Sequence, residues 1–164
     1  MTTQQTQTGR PRVSRSPEAL SASITIDAPV ERVWEVVSDL RRMPEFSPEL
    51  RRVVPLGRRT SGVGARILGI NRRGLAAWPT TSRVTRWEPC RAVAWKTRES
   101  AATWVYELEP AEGGTRVTSR RVLAAWSRGT TLMAPLIGGA AAHDRELADG
   151  MATTLERIKA AVEG

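Results

Sequence analysis

Ser23-Ile24-Thr25-Ile26-Asp27-Ala28-Pro29-Val30-Glu31-Arg32-Val33-Trp34-Glu35-Val36-Val37 changes its period in the middle. Up to Asp27, polar and apolar residues alternate, the pattern of a strand that turns one face to a core. From there the apolar residues fall at Val30, Val33, Trp34 and Val37, an i, i+3, i+4, i+7 stripe that predicts a helix of about three turns. Pro29 suits the start of that helix, and Glu31 complements the positive end of its dipole. Pro44 and Pro48 then hold Arg41–Pro48 to a short helical turn or loop.

Beyond this switch the chain reads as strands again. Alternating runs cover Arg52–Pro55, Ala65–Asn71, Ala76–Trp87, Ala92–Arg98, Thr103–Glu109 and Thr115–Leu123. Gly57, Gly62, Gly64, Gly74, Glu88-Pro89 and Gly113-Gly114 separate them, and Gly113-Gly114 is a hairpin signal. After Gly138-Gly139 the period returns to helix. Leu147, Met151, Leu155, Ile158 and Val162 recur every three or four residues on one long amphipathic helix, whose pattern extends back as far as Thr130. The order predicts an α+β domain: a curved antiparallel sheet of about six or seven strands, two short helices after the first strand, and a long C-terminal helix covering the inner face. A bent sheet and a straight helix do not close flush, so a cavity is expected between them. Residues 1–20 hold little to bury and read as a disordered, basic tail, and residues 21–164 as the folded domain.

The 164 residues suffice for one domain, and 40% apolar with 26% charged residues is ordinary for a globular chain. The net charge is +8, carried by arginine far more than lysine, which makes anionic partners a question of association rather than of fold. One Cys and one His, Cys90 and His143, exclude a disulfide framework and a Cys/His zinc site. No apolar run reaches the ~20 residues of a membrane-spanning helix, and no secretory leader is visible, so a cytoplasmic protein without metal or other cofactor is expected.

Several stretches together resemble the START-like superfamily, in its polyketide cyclase/dehydrase and lipid-transport branch. They are Ile24 to Trp34, Ser38-Asp39 with Pro44-Glu45-Phe46-Ser47-Pro48, Val63-Gly64-Ala65-Arg66, Trp78-Pro79-Thr80-Thr81-Ser82-Arg83-Val84, Trp104-Val105-Tyr106-Glu107-Leu108 with Gly113-Gly114-Thr115-Arg116-Val117, and the closing Thr154-Leu155-Glu156-Arg157-Ile158-Lys159. The resemblance implies a helix-grip fold with a ligand cavity. It does not fix one function, because the superfamily contains carriers, cyclases and receptors.

Trp104, Tyr106 and Leu108 share one face of a strand, and Val93 and Trp95 share a face of its neighbour. With Thr81, Val117, Met151 and Leu155 they form the expected ligand-binding wall. Arg83 matches the place where cyclase members of the family project an Arg into the cavity to stabilise an enolate, with Tyr106 as the accompanying proton donor. Trp78 and Val84, however, share a parity that turns Arg83 and Thr81 outward unless the register slips. Arg66 and Arg121 are further candidates of the same kind. The cyclase pattern also expects a Tyr just after Pro48 and an amide on the last helix, where this chain has Leu50 and Thr154. Glu107 and Glu109 fall on the outer face and form no catalytic carboxylate pair. The leading expectation is a binder or carrier of a small apolar ligand: a lipid, a fatty acyl chain or an aromatic polyketide. A cyclase or dehydrase is the alternative, and nucleic acid, suggested by the basic excess, the third.

Overall fold

The computed structural model describes residues 10–15, 19–123 and 140–164. Its strands are β1 (Arg12–Arg15), β2 (Ala19–Ile26), β3 (Leu50–Leu56), β4 (Arg66–Arg73), β5 (Ala76–Glu88), β6 (Ala92–Thr97), β7 (Ala102–Ala111) and β8 (Gly114–Leu123). Helices α1 (Val30–Ser38) and α2 (Met43–Phe46) follow β2, with a single 3-10 turn, Leu40–Arg42, between them; α3 (Ala140–Glu163) closes the chain. All eight strands join one antiparallel, curved sheet in the order β1-β2-β8-β7-β6-β5-β4-β3. The expected α+β architecture with two short helices and one long one is therefore present, with each expected strand within a few residues of its place.

The N-terminal boundary differs from expectation. Residues 12–15, assigned by composition to a disordered tail, pair with Leu20–Ser23 of β2 as an edge strand, and Leu20 is buried. Pairing through backbone hydrogen bonds needs no apolar side chains, so composition does not register it. The Thr130 start suggested for the last helix and the side chain of His143 lie outside the described residues.

Helix α3 lies on the inner face of the sheet through Met151, Leu155, Ile158 and Val162, which meet Ile24, Ile26, Leu108 and Val117 in one buried cluster. Its C-terminal end is tied to β2. The Lys159 ammonium donates to the Thr25 carbonyl at 2.9 Å and pairs with Glu163, whose carboxylate accepts from the Asp27 amide at 2.7 Å. Both partners hold Glu163 below the usual carboxylate range, Lys159 contributing more. Its other end is tied to the sheet through Arg73, which donates to Glu146 at 2.7 Å and also pairs with Glu49.

Cys90 sits at φ 59° in the tight turn Glu88-Pro89-Cys90-Arg91, closed by the Arg91 amide on the Glu88 carbonyl at 3.0 Å. Proline followed by positive φ is a type II turn, which prefers glycine at the third place. Cys90→Gly should therefore raise unfolding stability by roughly 0.5–1 kcal/mol, the left-handed strain outweighing the chain entropy of glycine, read as a higher urea midpoint at unchanged m. An unchanged or lower midpoint would contradict that turn assignment.

Candidate functional site

Between the inner face of β3–β8 and the N-terminal half of α3 lies a cavity of about 290 Å³. This is at the lower end of the roughly 300–1,000 Å³ typical of small-molecule sites. One wall is aromatic. Trp95 and Trp104 are direct neighbours across β6 and β7, and Trp95 stacks on Tyr106 with ring centres 5.6 Å apart and planes 13° from parallel. Trp78 adds a third indole from β5, while Leu147 and Met151 of α3 close the opposite side. The indoles at 95 and 104 line this space without filling it.

A polar seam runs across the floor. The Asn71 amide donates to the Thr80 hydroxyl at 3.0 Å, and the Ser82 and Thr97 hydroxyls pair at 2.9 Å in a buried position. These groups satisfy one another, so the floor is polar without a net charge. Tyr106 is buried, and burial pushes its phenol pKa up, opposed in smaller measure by the neighbouring Ser119 hydroxyl. The phenol therefore stays protonated and able to donate at neutral pH. Arg121 brings a cation to the wall, its guanidinium 6.0 Å from the centre of the Trp104 ring directly across the β7–β8 ladder. At the rim, Glu49 and Glu146 are held by Arg73.

Of the expected wall, Trp95, Trp104, Tyr106 and Met151 line the cavity. Leu108, Val117 and Leu155 do not: they are buried in the core beneath it, because the sheet and α3 come into full contact toward the C-terminal end of the helix. Arg83 is exposed on the outer face, and Thr81 shares that parity, its amide donating to Glu99 at 2.8 Å. The physical reason is register. β5 alternates without interruption from Trp78 to Val84, which turns Trp78, Thr80, Ser82 and Val84 inward, and the one irregularity, between Val84 and Arg86, comes too late to reverse Arg83. Arg66 is likewise exposed, so Arg121 alone of the three guanidinium candidates reaches the cavity. Glu107 lies outside, bonded to Arg86 and Arg120, as the alternation requires. Thr80, Ser82, Asn71 and Thr97 were not singled out from the sequence, although the parity of Trp78 and Val84 already placed the first two inward.

Leu50 and Thr154, which this chain carries where the resemblance implies a Tyr and an amide, both line the cavity. The Thr154 hydroxyl is used within its own helix, donating to the Gly150 carbonyl at 2.7 Å. Among the described residues no group of three His, Cys, Asp or Glu side chains could hold a metal, and no helix is long and apolar enough to cross a membrane.

The sequence matches the family described as polyketide cyclase/dehydrase and lipid transport over residues 17–163. The chain belongs to that family. Among curated proteins none matches it. Solved structures share the cyclase/dehydrase family fold at low identity. The di-domain ARO/CYC StfQ of the steffimycin biosynthetic pathway superposes with a TM-score of 0.70 at 15% identity, over 88% of this chain and 50% of its own. The di-domain ARO/CYC BexL of the BE-7585A pathway gives 0.68 at 20% identity, over 89% and 50%. A Thermus thermophilus protein gives 0.66 at 16%, over 88% and 97%. This cyclase/dehydrase-family chain thus spans half the length of each di-domain relative, and at these identities the likeness concerns the fold.

Proposed function

We propose that this domain binds a small, largely apolar, ring-containing ligand, with an aromatic polyketide the best-fitting class. The observation that carries the reading is the flat wall of Trp95 and Tyr106, extended by Trp104, inside a cavity of about 290 Å³. Stacked rings offer their faces to a planar guest, and binding would draw on apolar burial of roughly 25 cal/mol per Å². The Tyr106 phenol and Arg121 would orient polar substituents of that guest. The likeness to two ARO/CYC proteins supports the same class of ligand.

Three indoles on the cavity make intrinsic fluorescence the direct test. Titration with bicyclic and tricyclic aromatic polyketides should quench or shift tryptophan emission with micromolar affinity, while saturated fatty acids and sterols bind at least tenfold more weakly. No ring-containing ligand tighter than millimolar would overturn the proposal, and preference for the fatty acids would turn it toward an acyl carrier.

A further inference from the structure

The outer face of the sheet carries its charge in two unlike halves. Toward β7 and β8, cations and carboxylates interleave: Arg86 bonds Glu88 at 2.9 Å and Glu107 at 3.3 Å, and Arg120 bonds Glu107 at 3.0 Å. Across β4, the part of β5 up to Arg83 and the end of β6 at Lys96, cations instead stand side by side. Arg66 lies directly opposite Arg83, and Arg83 directly opposite Lys96, so three like charges stand in one row on three adjacent strands. All three are exposed, and none has a carboxylate partner among the described residues. Like charges directly opposite one another destabilise a sheet, and neighbouring strands are only about 4.8 Å apart. Such a row weakens the isolated domain and gains from an anionic surface laid across it.

The residues beside the row say which surface. On the same face, Val54 opposes Leu68 and Arg52 opposes Ile70, and beyond them Arg72 opposes Ala77. Val54, Leu68 and Ile70 are half-buried, and Arg52 and Arg72 are exposed. An apolar centre is therefore bordered by cations at both ends, with one carboxylate, Glu99, held beside it by the Thr81 amide at 2.8 Å. Among the described residues no aromatic side chain occupies this part of the face, which there lacks the stacking platform that single-stranded nucleic acid uses. A second copy of the chain would set the row against itself. Apolar side chains ringed by Arg and Lys suit the interface of a bilayer, where the cations meet headgroups and the apolar centre meets the acyl boundary.

We infer that the outer face of β3–β5, with Lys96 of β6, is a docking surface for an anionic lipid membrane. The opposite side of β4 carries Ile67, Gly69 and Asn71 into the cavity, so docking would set the ligand site one sheet's thickness from the bilayer. Docking needs nothing from the cavity, and the two proposals fail independently.

The full chain should sediment with vesicles of equal parts phosphatidylcholine and phosphatidylserine, and not with vesicles of phosphatidylcholine alone. Each cation near an anionic surface contributes about 1 kcal/mol, so the triple variant R66Q/R83Q/K96Q should lose about a hundredfold in vesicle affinity. Removing the like-charge row should also raise its urea midpoint, which separates lost docking from lost folding. A variant with Arg10, Arg12 and Arg15 changed to Gln should retain most of the binding. Equal sedimentation with both vesicle types, undiminished binding by the triple variant, or loss on changing Arg10, Arg12 and Arg15 alone would each overturn the inference. So would tighter binding to duplex DNA or to poly(U) through the same three residues, which would assign the face to nucleic acid.

Discussion

Gly114→Ala is expected to cost the fold about 3–5 kcal/mol, a large share of what a domain of this size possesses. Gly114 adopts φ 132°, a conformation that side chains rarely reach, and a Cβ there would stand 2.1 Å from the Ile26 carbonyl oxygen and 2.9 Å from the Ala28 nitrogen. Those neighbours are backbone and cannot swing aside. They belong to the junction where the period-2 stretch becomes the first helix, and the adjoining Thr115 hydroxyl donates to the Ala28 carbonyl at 2.8 Å. The strand-to-helix switch is thus seated on the β7–β8 hairpin. Gly113 is the internal control: its φ is 78°, but a Cβ there meets nothing within 4 Å. Gly113→Ala should cost only about 1 kcal/mol of backbone strain. Urea unfolding of the two variants side by side checks the contrast, and costs within 1 kcal/mol of each other would remove the close approach as the cause.

Gly150→Phe is the corresponding change for the cavity. Gly150 lines the cavity from α3, and a Cβ there meets only the Pro48 ring, at an ordinary 3.6 Å. Alanine at this position should stabilise the helix by about 0.5–1 kcal/mol and leave the cavity open. Phenylalanine should keep most of that helical gain and fill the space a guest needs, weakening binding of the best aromatic ligand at least a hundredfold, or about 2.7 kcal/mol. Fluorescence titration of both variants, with melting curves as the control, makes the measurement. Unchanged affinity in a folded Gly150→Phe protein would place the guest elsewhere.

The fold was legible because its signals are local and periodic. Alternation marked β2 through β8, the 3.6-residue spacing marked α1 and α3, and Gly113-Gly114 marked the hairpin that Gly114 makes indispensable. The edge strand Arg12–Arg15 was not legible, since what holds it is a backbone ladder to β2. At the site, the inward parity of Trp104 and Tyr106 could be read directly. Arg83 shows the opposite case: alternation from Trp78 to Val84 turned it outward, whereas family resemblance turned it inward, and the uninterrupted register of β5 agrees with the alternation. The division between cavity wall and core was not readable at all. Leu108 and Tyr106 share a strand face, and only the line along which α3 meets the sheet separates them.

Thr85 makes β5 one residue longer than its pairing with β6 requires, which is where the ladder shifts. Without it the strand would alternate cleanly through the same place, with Val84 and Trp87 still inward and Arg86 and Glu88 still outward. A gap of one residue is therefore harmless at that site, whereas elsewhere in β5 it transposes every later side chain between oil and water. Alignments of distant homologues should open their gap at Thr85, and chimaeras joined on either side of it keep both faces in phase.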